Sequence, residues 1–112
     1  MLSKGEKIFA ITRRLFEGDL RRHFVGEIQE VSETVIRVYG YTFIFDESSK
    51  QFIRRPEPIT RIISLTDAGI VIMLLPGEAF LDEILYVTDN NQRVITDGKT
   101  FKINVSEYGV NM

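Results

Sequence analysis

The sequence predicts a mostly β protein: an N-terminal α-helix followed by a small, strongly bent antiparallel β-barrel, with an extra C-terminal strand or hairpin. Three observations predict it. Apolar residues near the start recur at helical spacing. From residue 20 onward, stretches rich in β-branched and aromatic residues take over. Turn signals divide those stretches at short intervals, and no second helical pattern lies between them to carry a parallel crossover. At 112 residues the chain makes one domain, 1–112, with the helix over 3–17 and the barrel and C-terminal hairpin over 20–106.

The helix is predicted from its cap and its stripe. Ser3-Lys4-Gly5-Glu6 fits a capping box, with Ser3 as N-cap and Glu6 reaching back from the third helical position. Ile8, Ile11 and Leu15 then follow at helical spacing, and Phe9 and Phe16 widen the stripe. Arg13 and Arg14 in the last turn suit the macrodipole, and Gly18 offers a stop.

The strands follow in order. Phe24 to Val31 alternates, and Ser32-Glu33 turns the chain. Residues 34–46 are apolar on both faces, Tyr39, Tyr41, Phe43 and Phe45 on one and Ile36, Val38 and Ile44 on the other. Such a strand lies at the centre of a bent sheet or under a second subunit, with Gly40 as its bend or bulge point. In 51–65, Pro56 and Pro58 exclude a central position and mark a loop or an edge. Residues 70–75 make a short buried strand stopped by Pro76-Gly77. Residues 81–88 and 92–96 flank the hairpin signal Asp89-Asn90-Asn91, and 100–105 is a last strand after the turn at Asp97-Gly98-Lys99.

Composition narrows the function. Hydrophobic residues make up 44% and charged residues 27%, ordinary values for a folded domain. Cysteine is absent, which excludes disulfides, thiol catalysis and cysteine-ligated metals. His23 is the one imidazole, and no serine sits in a nucleophile motif. No glycine-rich phosphate loop occurs, and the adjacent Asp82 and Glu83 point to opposite faces of a strand. The reading is therefore a protein that is not an enzyme, with no cofactor and no metal. The longest apolar run, residues 69–75, is far too short to span a membrane, and charges interrupt any leader-like run, so no membrane partner is expected and the cytoplasm is the predicted compartment.

Charge placement says more than the net charge of −2. Residues 1–61 carry 11 basic and 9 acidic groups, whereas residues 62–112 carry 3 and 7. Arg13, Arg14, Arg21 and Arg22 gather around the end of the predicted helix, and Arg54 and Arg55 around the prolines, with Arg61 close by. Guanidinium groups suit phosphate, so Arg13, Arg14, Arg21, Arg22, Arg54 and Arg55 are the candidate nucleic-acid contacts. Solvated rims and ion pairs to Glu17, Asp19 and Glu57 are the plainer explanation. Tyr39, Tyr41 and Phe43, with Ile70 and Ile72, are candidate residues of an oligomer interface, because such a face is too apolar to leave open on a monomer. The same face could instead stack bases or line a small-ligand pocket.

The segment Phe24-Val25-Gly26-Glu27-Ile28-Gln29-Glu30-Val31, followed by Val35-Ile36-Arg37-Val38, resembles the first motif of the Sm-like family. The resemblance covers residues 3 to about 75. It implies a short helix, five strongly bent antiparallel strands, a homo-oligomeric ring and RNA as a partner. The sequence departs from the family where bases are read. The family's aspartate falls on Ser32 and its uridine-reading asparagine on Ile36. Its second motif falls near Arg61-Ile62-Ile63-Ser64 and has no Arg-Gly step. The resulting expectation is a non-enzymatic Sm-like protein that forms a homo-oligomeric ring, with RNA as the candidate partner of its arginine clusters; the departures at Ser32 and Ile36 support the alternative, a structural or scaffold module that binds no nucleic acid.

Overall fold

A computed structural model describes residues 2–12, 22–67 and 69–106 of the chain. Among the described residues are nine strands: β1 (Lys7–Thr12), β2 (Arg22–Val31), β3 (Val35–Asp46), β4 (Gln51–Arg54), β5 (Ile59–Ser64), β6 (Ile70–Leu75), β7 (Leu85–Asp89), β8 (Gln92–Thr96) and β9 (Lys102–Asn104). One 3₁₀ turn, Leu81–Glu83, precedes β7.

The predicted N-terminal helix is not there. Residues 3–6 form a turn and Lys7–Thr12 is a strand. The rest of the helix prediction, residues 13–17, lies outside the described residues. The capping-box chemistry survives in a different role: the Ser3 amide donates to Glu6 Oε1 at 2.6 Å, and the Glu6 amide donates to Ser3 O at 3.2 Å. These bonds close a turn because Gly5 sits at φ +91°, outside the helical region. Ile8, Phe9, Ala10 and Ile11 are all buried, two on each face of the strand. A strand buried on both sides has no polar interruption, so its apolar residues satisfy helical spacing by accident.

The first sheet has the order β4-β3-β2-β1-β6, and β5 also pairs with β3; every pairing is antiparallel. β4 and β5 lie end to end along one side of β3. Arg54 is opposite Phe43 and Ile59 is opposite Gly40, so residues 55–58 bulge outward past Tyr41 and Thr42. The two prolines sit in that bulge, where no ladder needs their missing N–H. The register irregularity between β2 and β3 falls between Ile28 and Glu30 and not at Gly40.

This sheet curls, but it does not close into the predicted barrel. β5 lies on one edge and β6 on the other, and they are not hydrogen-bonded to each other. The curl brings Ile63 of β5 into one buried cluster with Ile8, Ala10, Phe24, Ile28, Ile36 and Val38, with Ile70 and Ile72 of β6 packed against it. Gly26 and Gly40 are directly opposite each other in the middle of the curl. A Cβ at Gly40 would lie 1.8 Å from Val25 O and 2.5 Å from Gly26 Cα. Only glycine lets the two backbones approach so closely.

The convex face is covered by the second sheet, β7-β8-β9. Phe9, Ile11, Val25, Phe43, Phe45, Phe52 and Leu75 pack there against Ala79, Ile84, Ile95 and Val105. Aromatic rings fill the centre: Phe52 stacks on Tyr86 at 4.7 Å, and Phe43 meets Tyr86 edge-on at 5.2 Å. Residues 81–83, predicted as the start of a strand, form the 3₁₀ turn that hands the chain from one sheet to the other. Asp97 fixes that crossing. Its buried carboxylate accepts hydrogen bonds from the Phe80, Lys99 and Thr100 amides and from the Thr100 hydroxyl.

Two predictions follow from this packing. Gly40→Ala should cost about 3 kcal/mol or more in chemical denaturation, whereas Gly77→Ala, whose new methyl meets nothing within 4 Å, should change stability by under about 0.5 kcal/mol. Equal effects would contradict the close approach at Gly40. For Asp97, burial resists ionisation, but the four hydrogen bonds outweigh it and hold the carboxyl far below its ordinary pKa. Its stabilising contribution is then complete above about pH 5 and fades as the pH falls through the acid range. Asp97→Asn should lower stability at neutral pH and flatten that acid-range slope. An unchanged slope would assign the acid sensitivity to other carboxyls.

Candidate functional site

The residues singled out by sequence separate into distinct places. Arg13, Arg14 and Arg21 lie outside the described residues. Arg54 is committed within the chain: it donates to Asp82 O at 2.6 Å and lies over the Tyr41 ring at 4.8 Å. Lys7 makes a matching contact from β1, donating to Ala79 O at 2.7 Å. These two cations pin residues 79–82 across the face of the first sheet. Arg22 and Arg55 are exposed and face a groove beside β5, where Arg61 joins them.

The proposed interface face of β3 is divided by the second sheet. Phe43 is buried beneath it, and Tyr41 is half-covered by Arg54. Tyr39 is 48% exposed and lines a cavity of about 450 Å³ with Lys7, Glu27, Gln29, Phe80 and Asp82. The chain therefore covers most of this apolar face with its own C-terminal third. Ile70 and Ile72 are half-buried on the concave side of β6.

His23 is a core residue. It is 1% exposed, stacks on Phe52 at 4.2 Å and meets Phe9 edge-on at 5.2 Å. Its Nδ1 shares a 2.5 Å hydrogen bond with the Tyr86 hydroxyl. Burial raises the Tyr86 pKa well above its ordinary value, so the phenol stays protonated, and the imidazole is shut off from solvent. Among the described residues no three His, Asp or Glu side chains are grouped to hold a metal. No helix among them is long and apolar enough to cross a membrane.

Among the described residues the geometry leaves open a pair of sheet edges. β6 pairs with β1 on one side only, and its sequence, Ile70-Val71-Ile72-Met73-Leu74-Leu75, holds no charge and no proline. Val71 is 41% exposed on the convex side and Leu74 54% exposed on the concave side. β5 is the counterpart on the opposite edge. It also has six residues, and it too shows one apolar side chain on each side: Ile62, 61% exposed, on the convex side and Ile59, 48% exposed, on the concave side. Val31 and Val35 stand beside Ile62 around a shallow pocket and extend that apolar surface. By contrast β4 is guarded by Arg54, Arg55 and the prolines, and β7 ends in Asp89, ion-paired to Lys102.

The exposed residues Ile59, Ile62, Val71 and Leu74 were not singled out by sequence, because edge position depends on strand order. The signal that could have found them is the uncharged run 70–75 beside a β-reading of residues 7–12. Comparison of the chain with protein-family models, curated proteins and solved structures finds no match.

Proposed function

We propose that the protein is a non-enzymatic assembly module whose copies join head to tail, the β5 edge of one against the β6 edge of the next. One observation carries the reading: among the described residues an edge strand of six apolar residues with no charge or proline has no partner on its outer side, and the opposite edge of the same sheet matches it in length and in apolar exposure. An edge of that kind presents free backbone donors and acceptors beside apolar side chains, and folded proteins ordinarily blunt or cover it. A second copy supplies both halves of what is missing. Its backbone completes the ladder, and its side chains cover the exposed residue on each side of the strand.

The two edges are different surfaces, so the contact is heterologous. Such contacts propagate until rotation closes them into a ring. The proposal agrees with the ring implied by the Sm-like resemblance, but it stands on the open edges. In the structure Phe24–Val31 lies within the second strand of the sheet and not the first. The sequestered His23 supports a role without catalysis.

The test is a pair of edge substitutions. Ile62→Lys disables the β5 edge and Leu74→Lys the β6 edge, both at exposed positions where the fold tolerates change. By light scattering the wild-type chain should give several times 12.9 kDa, and each variant alone should be a monomer. An equimolar mixture should give dimers, because each variant keeps the edge that the other lacks. A monomeric wild type would overturn the proposal. Dimers of Ile62→Lys alone would point instead to β6 pairing with itself.

A further inference from the structure

We infer that Arg22 and Arg61 form a binding site for the phosphate group of a small phosphorylated ligand, on the concave side of the first sheet. Arg61 stands on β5, so the site borders the edge contact, but its charged groups are not the apolar side chains of that contact and it does not require assembly. Two adjoining cavities, of about 270 Å³ and 320 Å³, share Arg22, Thr42 and Arg61 as a common wall. The first is also lined by Thr12, Ser64 and Asp67, and the second by Arg55 and Glu57.

Arg61 is built into position. Its Nε and Nη2 donate to Thr42 Oγ1 at 3.4 and 3.3 Å, and its guanidinium lies over the Phe24 ring at 5.5 Å. Burial first, and then the positive charge of Arg22, lower its pKa. The guanidinium of Arg61, held in this way, is repelled by the neighbouring charge of Arg22. Among the described residues neither Arg22, Arg55 nor Arg61 is ion-paired to a carboxylate. An anion at this wall would relieve the repulsion and take up planar N–H donors, the chemistry that suits a phosphate. Thr12 adds a hydroxyl to the cavity, and Asp67, whose Oδ1 accepts from the Gly69 amide, adds an acceptor suited to a sugar hydroxyl.

The site favours a small ligand over a polymer. The wall lies in a curl and not along an open stripe. Arg54, which would extend it, is turned away to Asp82 O. Glu57 and Asp67 border the cavities and would repel a second phosphate.

The experiment follows thermal unfolding of the wild-type chain with ribose 5-phosphate, inorganic phosphate, ribose, and sodium chloride at matched ionic strength. Ribose 5-phosphate should raise Tm by about 4 °C at ten times its dissociation constant, and ribose and chloride should not. If inorganic phosphate binds as tightly, free phosphate is the ligand of the same site. Arg22→Gln and Arg61→Gln should each weaken binding at least about tenfold, as expected for loss of a charged hydrogen bond. Arg22 is exposed, so its variant decides the matter if Arg61→Gln does not fold. No shift with either phosphate, or an equal shift in Arg22→Gln, would overturn the inference. So would a single-stranded RNA ten-mer that binds more tightly than ribose 5-phosphate and loses affinity in Arg22→Gln, because that assigns the wall to a polymer.

Discussion

The first sheet must bury both of its faces. β1 carries Ile8 and Ala10 on one side and Phe9 and Ile11 on the other, and β3 carries Ile36 and Val38 against Phe43 and Phe45; all eight are buried. A sheet of this size has two ways to remove such faces from water, and the chain uses both. It curls so that one face packs on itself, and it lays a second sheet over the other. Burying a large apolar side chain is worth about 1.5–3 kcal/mol, so the two cores together far outweigh any single polar contact. The glycine pair at 26 and 40 serves the curl. Asp97, Lys7 and Arg54 serve the cover, because each holds the crossing segment 79–82 in place.

The same constraint creates the open edges. A curl that closed fully would pair β5 with β6 and leave neither exposed. Here the concave face is already sealed by Ile63, Ile70 and Ile72, and the two edges stop short of each other. The result is a sheet with satisfied faces and unsatisfied sides. The apolar residues at its sides include Val71 and Leu74 of β6, exposed one on each side of that strand. The basic wall arises in a related way. Arg22 and Arg61 stand where the concave surface meets solvent, at positions of β2 and β5 that the apolar cluster does not fill.

Much of the strand content was legible. Residues 70–75 and 92–96 begin and end where β6 and β8 do, because turn residues bound both runs. The interruption by Pro56 and Pro58 was legible too, since proline cannot join a central ladder. Residues 7–12 were not, because a doubly buried strand carries no alternation and a genuine turn-closing Ser3–Glu6 contact imitates a helix start. A helical reading of residues 7–12 hides β1, and with it the fact that β6 is an edge. The composition of the apolar face at Tyr39–Phe45 implies a cover. Its cover is the chain's own second sheet, a long-range packing that no local pattern reveals. His23 looked like a stray imidazole in sequence; only the aromatic stack around it shows that it fills space.

Amide hydrogen exchange, followed across protein concentration, tests most directly whether the sheet edges are the association surface. Amides of β5 and β6 that face away from the sheet should become protected together as concentration rises, while those of β7, an edge of the other sheet, should not change. Concentration-independent exchange at β5 and β6 would contradict edge-to-edge assembly and leave them as solvent-facing sides of a monomer.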